Sequence, residues 1–326
     1  MTRRSTLILL ALAGALVLIA GVRLLALAGG FAMPESGVIF ELRFQRVLSA
    51  IPVGVALAVS GVLLQSLLRN PLASPYILGL TAGSGLAIAI SLYVGYRATG
   101  HINQSSIPIF PPVAGAFVMM LLVYALAQRR GVLEPGTLIL TGVILAIIAG
   151  ALTMFVRQLL PDAGMAMTAR WLMGNLRDDF TLASWSITSG LVLIGFLWSV
   201  RLGPSLDAAA LSDDEARSVG LDLVRLRFVV FLLASVMTGA AVVAAGPIGF
   251  VGLICPHVMR LVLGPSHRAL VLGSALTGAI LLVIADTAVT VVRFESGRMP
   301  IGVLTALIGG PLFIVILRSG RGRADA

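Results

Sequence analysis

Asp286 and His257 are the side chains whose type and setting could do chemistry in apolar surroundings. Asp286 stands inside the run Ala269 to Val292 and reads as the acid deepest in hydrocarbon. An ionisable residue so placed is functional by default, commonly as a member of a proton relay. A relay needs several such groups, and no row of them is present; an acid paired to a neighbouring helix fits as well. His257 likewise reads as a residue near a path or as a satisfied packing residue. An intramembrane enzyme would need a nucleophile with a base, or metal ligands at a workable spacing, and HExxH is absent. All formal positive charge is arginine, 23 residues against 14 acids for a net +9. Without a lysine the phosphate-binding GxxxxGK[ST] loop cannot form, so any ATP hydrolysis belongs to a partner. The single cysteine, Cys255, excludes an internal disulfide and reads as packing.

His257 lies in Ala244 to Arg268, AAGPIGFVGLICPHVMRLVLGPSHR. Gly246-Pro247 must break the preceding helix, because proline removes a backbone donor and restricts the residue before it. Pro256-His257 is expected to interrupt the apolar run again. In lipid such breaks are tolerated only where neighbouring helices or a water-lined cavity satisfy the freed backbone groups. The stretch therefore belongs inside a helical bundle, near a path.

The elements that would position these residues follow from composition. With 58% hydrophobic and 11% charged residues, the chain departs from soluble domains, in which about a quarter of residues are charged. Apolar runs suited to crossing about 30 Å of hydrocarbon are read at Thr6 to Val22, Val47 to Leu68, Tyr76 to Tyr96, Ile107 to Ala127, Thr137 to Leu160, Leu182 to Val200, Phe228 to Ala245, Ile248 to Leu263, Ala269 to Val292 and Ile301 to Leu317. The first exceeds the usual apolar core of a signal peptide and reads as a span with the amino terminus inside. The expected fold is all-α, one polytopic membrane domain over residues 1–326 with about ten transmembrane helices and both ends on one side. The arginine excess then belongs to loops flanking spans and to anionic lipid surfaces rather than to nucleic acid. Arg23, Arg43, Arg46, Arg97, Arg157, Arg170, Arg177, Arg293 and Arg298 fall towards the outside, against the positive-inside tendency, and want a reason of their own. Ala166 to Leu176 reads as a short interfacial helix anchored by Trp171.

Three polar stations stand out. Ser212-Asp213-Asp214-Glu215 reads as a capping box, with Gly220 as a left-handed stop. It predicts a short cytoplasmic helix or helix pair between the sixth and seventh spans, which is either a well-capped loop or a rigid knob docking in a partner's groove. Arg43 and Arg46 stand three apart at the outer mouth of the second span, on one helical face, as snorkelling anchors or as docking charges for an acidic partner. On the inner side, Asn70 and Leu72 in the turn Arg69 to Pro75, and Pro135, Gly136 and Thr137 in the next inner turn, would meet the inner end of any central path.

These residues carry a resemblance. The RxxR of Arg43 and Arg46, RNPLASPYILGL at Arg69 to Leu80, AGPIGFVGLICPHVMR at Ala245 to Arg260, Gly302 and Pro311-Leu312-Phe313 make the chain similar, over nearly its whole length, to the FecCD-type permease subunits of bacterial ABC importers for iron-siderophores, haem and cobalamin. Gln45 stands where that family usually has proline, Arg298-Met299-Pro300 replaces the usual Glu-Leu-Pro, and Thr290 replaces an arginine common four residues after the Asp286 position. The resemblance implies a second permease subunit, two cytoplasmic ABC ATPase subunits, and a periplasmic or lipid-anchored substrate-binding protein, in the bacterial cytoplasmic (inner) membrane and without a cofactor. It implies coupling helices over 206–223, including Ser212, Asp213, Asp214, Glu215 and Gly220; docking arginines at Arg43 and Arg46, with Arg293 and Arg298 keeping a second outer loop basic; and a cytoplasmic gate at Asn70, Leu72, Pro135, Gly136 and Thr137. The expected function is import of an iron-siderophore through a path at a permease dimer interface, powered by a separate ATPase, with haem or cobalamin as other cargoes. An ion-coupled secondary transporter is the rival from another class, and the shortage of intramembrane acids stands against it.

Overall fold

In hydrocarbon, a chain segment satisfies its own backbone groups only as a helix or within a closed barrel, and this chain takes the first route. The structure, a computed structural model, describes residues 3–27, 29–102, 110–129, 132–176, 182–294 and 297–321. Helix α1 (Arg3–Leu25) runs into a small hairpin, β1 (Ala26–Leu27) and β2 (Gly30–Phe31), and then into α2 (Gly37–Leu67). A 3-10 turn at Pro75–Leu78 leads to α3 (Leu80–Thr99) and α4 (Phe110–Ala127). Strands β3 (Gln128–Arg129) and β4 (Val132–Leu133) precede α5 (Pro135–Gln158), α6 (Asp162–Leu172) and α7 (Leu182–Arg201). Two short helices, α8 (Gly203–Ala209) and α9 (Asp213–Ser218), join α7 to α10 (Leu223–Ala245). The chain continues through α11 (Val251–Leu263) and α12 (His267–Val291). A hairpin of β5 (Arg293–Phe294) and β6 (Gly297–Arg298) then leads into α13 (Ile301–Arg321). All three strand pairs are antiparallel.

Each expected apolar segment contains a helix among the described residues, and the protein is an all-α polytopic membrane protein. Among the described residues, α1, α2, α4, α5, α10 and α12 are long and apolar enough to cross a membrane, and α7 meets the same test only when counted together with α8 across a bend of 54°. Helix α11 does not reach: 13 residues extend about 20 Å at 1.5 Å each, against about 30 Å of hydrocarbon. Gly246 (φ +64°) ends α10 as expected, and Phe250 (φ +68°) starts α11. The expected second break at Pro256 is corrected: Pro256 lies inside α11, which runs on to Gly264 (φ +83°). It is buried among neighbours, and surrounding helices let membrane proteins keep a proline in mid-helix.

The short polar-faced helix also differs from expectation. It occupies Asp162–Leu172, and Trp171 is buried rather than set at an interface, in a cluster with Ile88, Leu92, Leu160 and Val242. Packing against α3 draws the indole inward.

The core forms around α2, which packs against α12, α10 and α11. Leu57, Met237, Val251, Leu270 and Val283 belong to one buried cluster. Leu63, Leu64, Leu138 and Phe231 belong to a second. Apolar tails solvate helices as well as leucine does, so close backbone approach supplies much of the association. A Cβ at Gly61 would run into the Gly252 carbonyl of α11, and one at Gly54 into the Gly278 carbonyl of α12. Gly61→Ala is expected to destabilise the protein by about 1–3 kcal/mol through overpacking, read as a lower midpoint in thermal unfolding of the detergent-solubilised protein. Gly95→Ala, which meets nothing within 4 Å, is the control. Equal midpoints for the two variants would contradict this account of the packing.

Candidate functional site

The end of α1, the first turns of α2 and the end of α12 meet at a buried charge cluster. Asp286 is 0% exposed, Arg23 1% and Arg46 7%. Arg23 Nε donates to Asp286 Oδ2 at 2.5 Å, and Arg46 Nε donates to Oδ1 at 3.1 Å, with Nη2 also 3.1 Å from Oδ1. Arg23 Nη1 is buried without a hydrogen-bond partner. Asp286 is therefore the paired acid of the two readings. Arg23, expected among the outward arginines, is one of its partners. A paired arginine at the end of an apolar run and a lone acid in another run were the available signal, but spacing in sequence does not say which helices meet.

Arg46 is corrected in the same way. It does not share an outward face with Arg43, because a carboxylate that water does not reach takes the nearest cations inward. Arg43 is half-buried and donates through Nη1 to the carbonyls of Leu24 and Ala32, at 2.8 and 3.0 Å, fastening the end of α1 and the following loop to α2. Arg298 is exposed, and the hairpin register sets it opposite Arg293.

The opposite end of α2 and α12 carries the knob. Ser212 Oγ accepts from the Glu215 backbone N–H at 3.3 Å, and Glu215 Oε2 accepts from the Ser212 backbone N–H at 3.0 Å and its hydroxyl at 2.7 Å. The capping box thus forms as read, Gly220 takes the expected left-handed turn (φ +81°), and a pair of short helices results. Bonds from the Ser212 hydroxyl and backbone hold the Glu215 carboxyl below its ordinary range. At Asp213 partial burial pushes the carboxyl up, but Arg227 and Arg69 outweigh it and the net direction is down. A lowered carboxylate contributes stability above its unfolded pKa, and that contribution is lost as pH falls through the lowered value.

Three side-chain links fasten this knob to the central helices. Arg227 Nη2, on α10, donates to both Asp213 oxygens at 2.9 and 3.1 Å. At the start of α12, the His267 backbone N–H donates to Asp207 Oδ1 at 2.8 Å, and its Nδ1 lies 2.7 Å from the same oxygen. Arg69, just past α2, reaches Asp213 at 2.6 Å. Beyond Arg69, Asn70 Oδ1 accepts from the Leu72 backbone N–H at 2.9 Å, and Leu72 is 43% exposed. The following 3-10 turn packs against α5, whose first residues are Pro135, Gly136 and Thr137. Thr137 donates to Glu134 Oε2 at 2.8 Å.

In the broken stretch, Cys255 is buried, as a packing residue should be, and the half-buried His257 ring meets Phe313 of α13 edge-on at 6.3 Å. Gly174, after α6, touches the backbone at Pro247, and its carbonyl accepts from the Gly302 N–H at 3.0 Å. Three chain segments thus cross at the break. Among the described residues no cluster of three His, Cys, Asp or Glu is arranged to hold a metal ion.

Comparison with known proteins gives a consistent set of relatives. The profile of the FecCD transport family matches residues 5–319. The cobalamin import system permease protein BtuC of Halobacterium salinarum is 34% identical over 90% of this chain and 77% of its own length. The hemin transport system permease protein HmuU of Yersinia pestis is 34% identical, with coverages of 87% and 84%. The Fe(3+) dicitrate transport system permease protein FecD of Escherichia coli K12 is 38% identical, with coverages of 86% and 85%. A solved structure of a metal-chelate type ABC transporter in an inward-facing conformation superposes with a TM-score of 0.84 at 29% identity, over 96% of this chain and 99% of the other.

The outer cluster makes a direct prediction. Asp286→Asn leaves two buried guanidinium groups without a counter-charge and is expected to destabilise by about 3–5 kcal/mol, whereas replacing the whole cluster by apolar side chains (Arg23→Met, Arg46→Met, Asp286→Leu) is expected to recover much of that loss. Unfolding midpoints in detergent decide it. A wild-type midpoint for Asp286→Asn would contradict the pairing.

Proposed function

The chain belongs to the FecCD transport family, and from that premise we propose that it imports an iron-siderophore chelate through a path formed with a second permease subunit. It is an ABC importer permease and a multi-pass protein of the inner membrane. Its relatives are permease subunits, so hydrolysis of ATP falls to other subunits of the assembly. In this reading the chain is a single membrane domain. Two cytoplasmic ATPase subunits grip the knob at Ser212, Asp213, Asp214, Glu215 and Gly220, and a periplasmic or lipid-anchored binding protein delivers the cargo.

The observation that carries this reading is the knob itself. It is an exposed, capped helix pair fastened by polar links to α2, α10 and α12. A loop that only connected two spans would have no need of such anchoring. The binding protein docks on Arg43, Arg293 and Arg298, while Arg46 supports that surface from within through Asp286. Asn70 and Leu72, with Pro135, Gly136 and Thr137, close the inner end of the path. Relatives named for cobalamin, haem and iron dicitrate match at 34%, 34% and 38% identity, and these chelates are the cargoes between which the uptake experiment decides. Ion-coupled transport loses ground because Asp286 is held between two arginines.

The cargo is tested by uptake of radiolabelled iron-siderophore, haem and cobalamin in a strain deleted for this gene, with and without the gene restored. Restoration is expected to return uptake of the iron chelate; return of haem or cobalamin uptake alone would assign the cargo otherwise. The gate is tested with cysteines at Leu72 of both permease copies in a Cys255→Ala background. Crosslinking is expected in the closed state and should block uptake, and its failure in every nucleotide state would place the constriction elsewhere.

A further inference from the structure

Arg69 is one of two non-glycine residues with positive φ among the described residues (φ +46°). This is a conformation that a Cβ disfavours, and it persists only where surroundings hold it. What holds it is the knob. Its Nη2 lies 3.0 Å from the Ala209 carbonyl, 2.9 Å from that of Leu211 and 2.6 Å from Asp213 Oδ1. All three acceptors belong to the junction of α8 and α9.

On its other side Arg69 is joined through one peptide bond to a turn that closes on itself. The Asn70 N–H donates to the Gln65 carbonyl at 3.1 Å, the Ala73 N–H donates to the Asn70 carbonyl at 3.0 Å, and the Asn70 side chain holds Leu72. Past Ala73, which is fully buried, the chain enters the 3-10 turn against α5, where Gly79 lies close to the Gly142 carbonyl. A displacement of the α8–α9 junction would therefore pull on Arg69, and the hydrogen bonds within the following turn tie Asn70, Leu72 and Ala73 together. The links through Arg227 and His267 run to α10 and α12, and the Arg227 link meets Arg69 at their shared acceptor, Asp213 Oδ1.

We propose that Arg69 is the positioning residue that ties the knob to the inner turn, so that knob movement opens and closes that turn. The inference rests on the importer reading above, in which the knob takes up ATPase motion and the turn is the gate. Arg227 makes two bonds of its own to Asp213, and these are expected to keep α9 fastened to α10 when Arg69 is replaced.

The test uses the whole complex in proteoliposomes with its binding protein, and reads ATP hydrolysis and import together for whichever of iron-siderophore, haem or cobalamin the wild type imports. Arg69→Gly removes the guanidinium and suits the positive φ. Hydrogen bonds to a charged group are each worth about tenfold or more in an equilibrium, so import per ATP hydrolysed is expected to fall at least about tenfold while binding-protein-stimulated hydrolysis stays within about twofold of wild type. Arg69→Lys keeps the charge but not the planar fork, and its ratio should lie between the two. A parallel fall in hydrolysis and import in the lysine variant would reduce Arg69 to a structural role and overturn the inference, as would an unchanged ratio in either variant. If Arg69→Gly fails to assemble, the lysine variant alone decides. A wild-type complex without binding-protein-stimulated hydrolysis contradicts the importer reading itself, and the inference falls with it.

Discussion

Asp286 holds arginines from two other helices in a place that water does not reach. The desolvation of such ions costs several kcal/mol each even after relaxation, so they persist only together, and their pairing fixes where α1, α2 and α12 meet. Two of these helices traverse the bundle and end at the knob. Helix α2 carries Arg46 near one end and is followed by Arg69 at the other, and α12 begins at His267 and carries Asp286 near its far end. Between these polar ends the two helices touch through glycine, at Gly54 and Gly278, with little side-chain bulk to absorb a shift. Charge fastens both ends of a core that glycine packs tightly in between, and movement applied at the knob meets a stiff frame.

The break between α10 and α11 is the complement of that frame. Gly246 and Phe250 both have positive φ, and the crossing of Gly174, Pro247 and Gly302 lets backbone take over from side chains there. A 13-residue helix set in the membrane by such a turn exposes non-helical backbone only where protein surrounds it. The stretch thus interrupts a span without leaving its polar groups in lipid.

Much of this was legible in the sequence, because its causes are local. The helix ladder follows from runs of apolar residues, the knob's first turn from Ser212 and Glu215 standing three apart, and the breaks at Gly246 and Gly220 from the one residue that tolerates their φ. What stayed hidden depends on which helices become neighbours. Three-residue spacing placed Arg43 and Arg46 on one face, but the counter-charge that turns Arg46 inward sits 240 residues away on another helix. Trp171 has the amphipathic ring of an interfacial anchor, and only its packing against α3 shows that it is core. Pro256 reads as a helix breaker because the rule is written for isolated helices. Arg69 lay inside a recognised motif, yet the acceptors that give it a role are more than a hundred residues further on.

The central claim is that a partner ATPase, acting through the knob, drives import through this chain. The most direct measurement is uptake by the reconstituted complex with ATP inside the liposomes, binding protein and chelate outside, and ionophores added to abolish every ion gradient. The account predicts that uptake requires both ATP and the binding protein and continues at the same rate when the gradients collapse. Uptake by the permease alone that follows an imposed ion gradient and stops with the ionophores would contradict it.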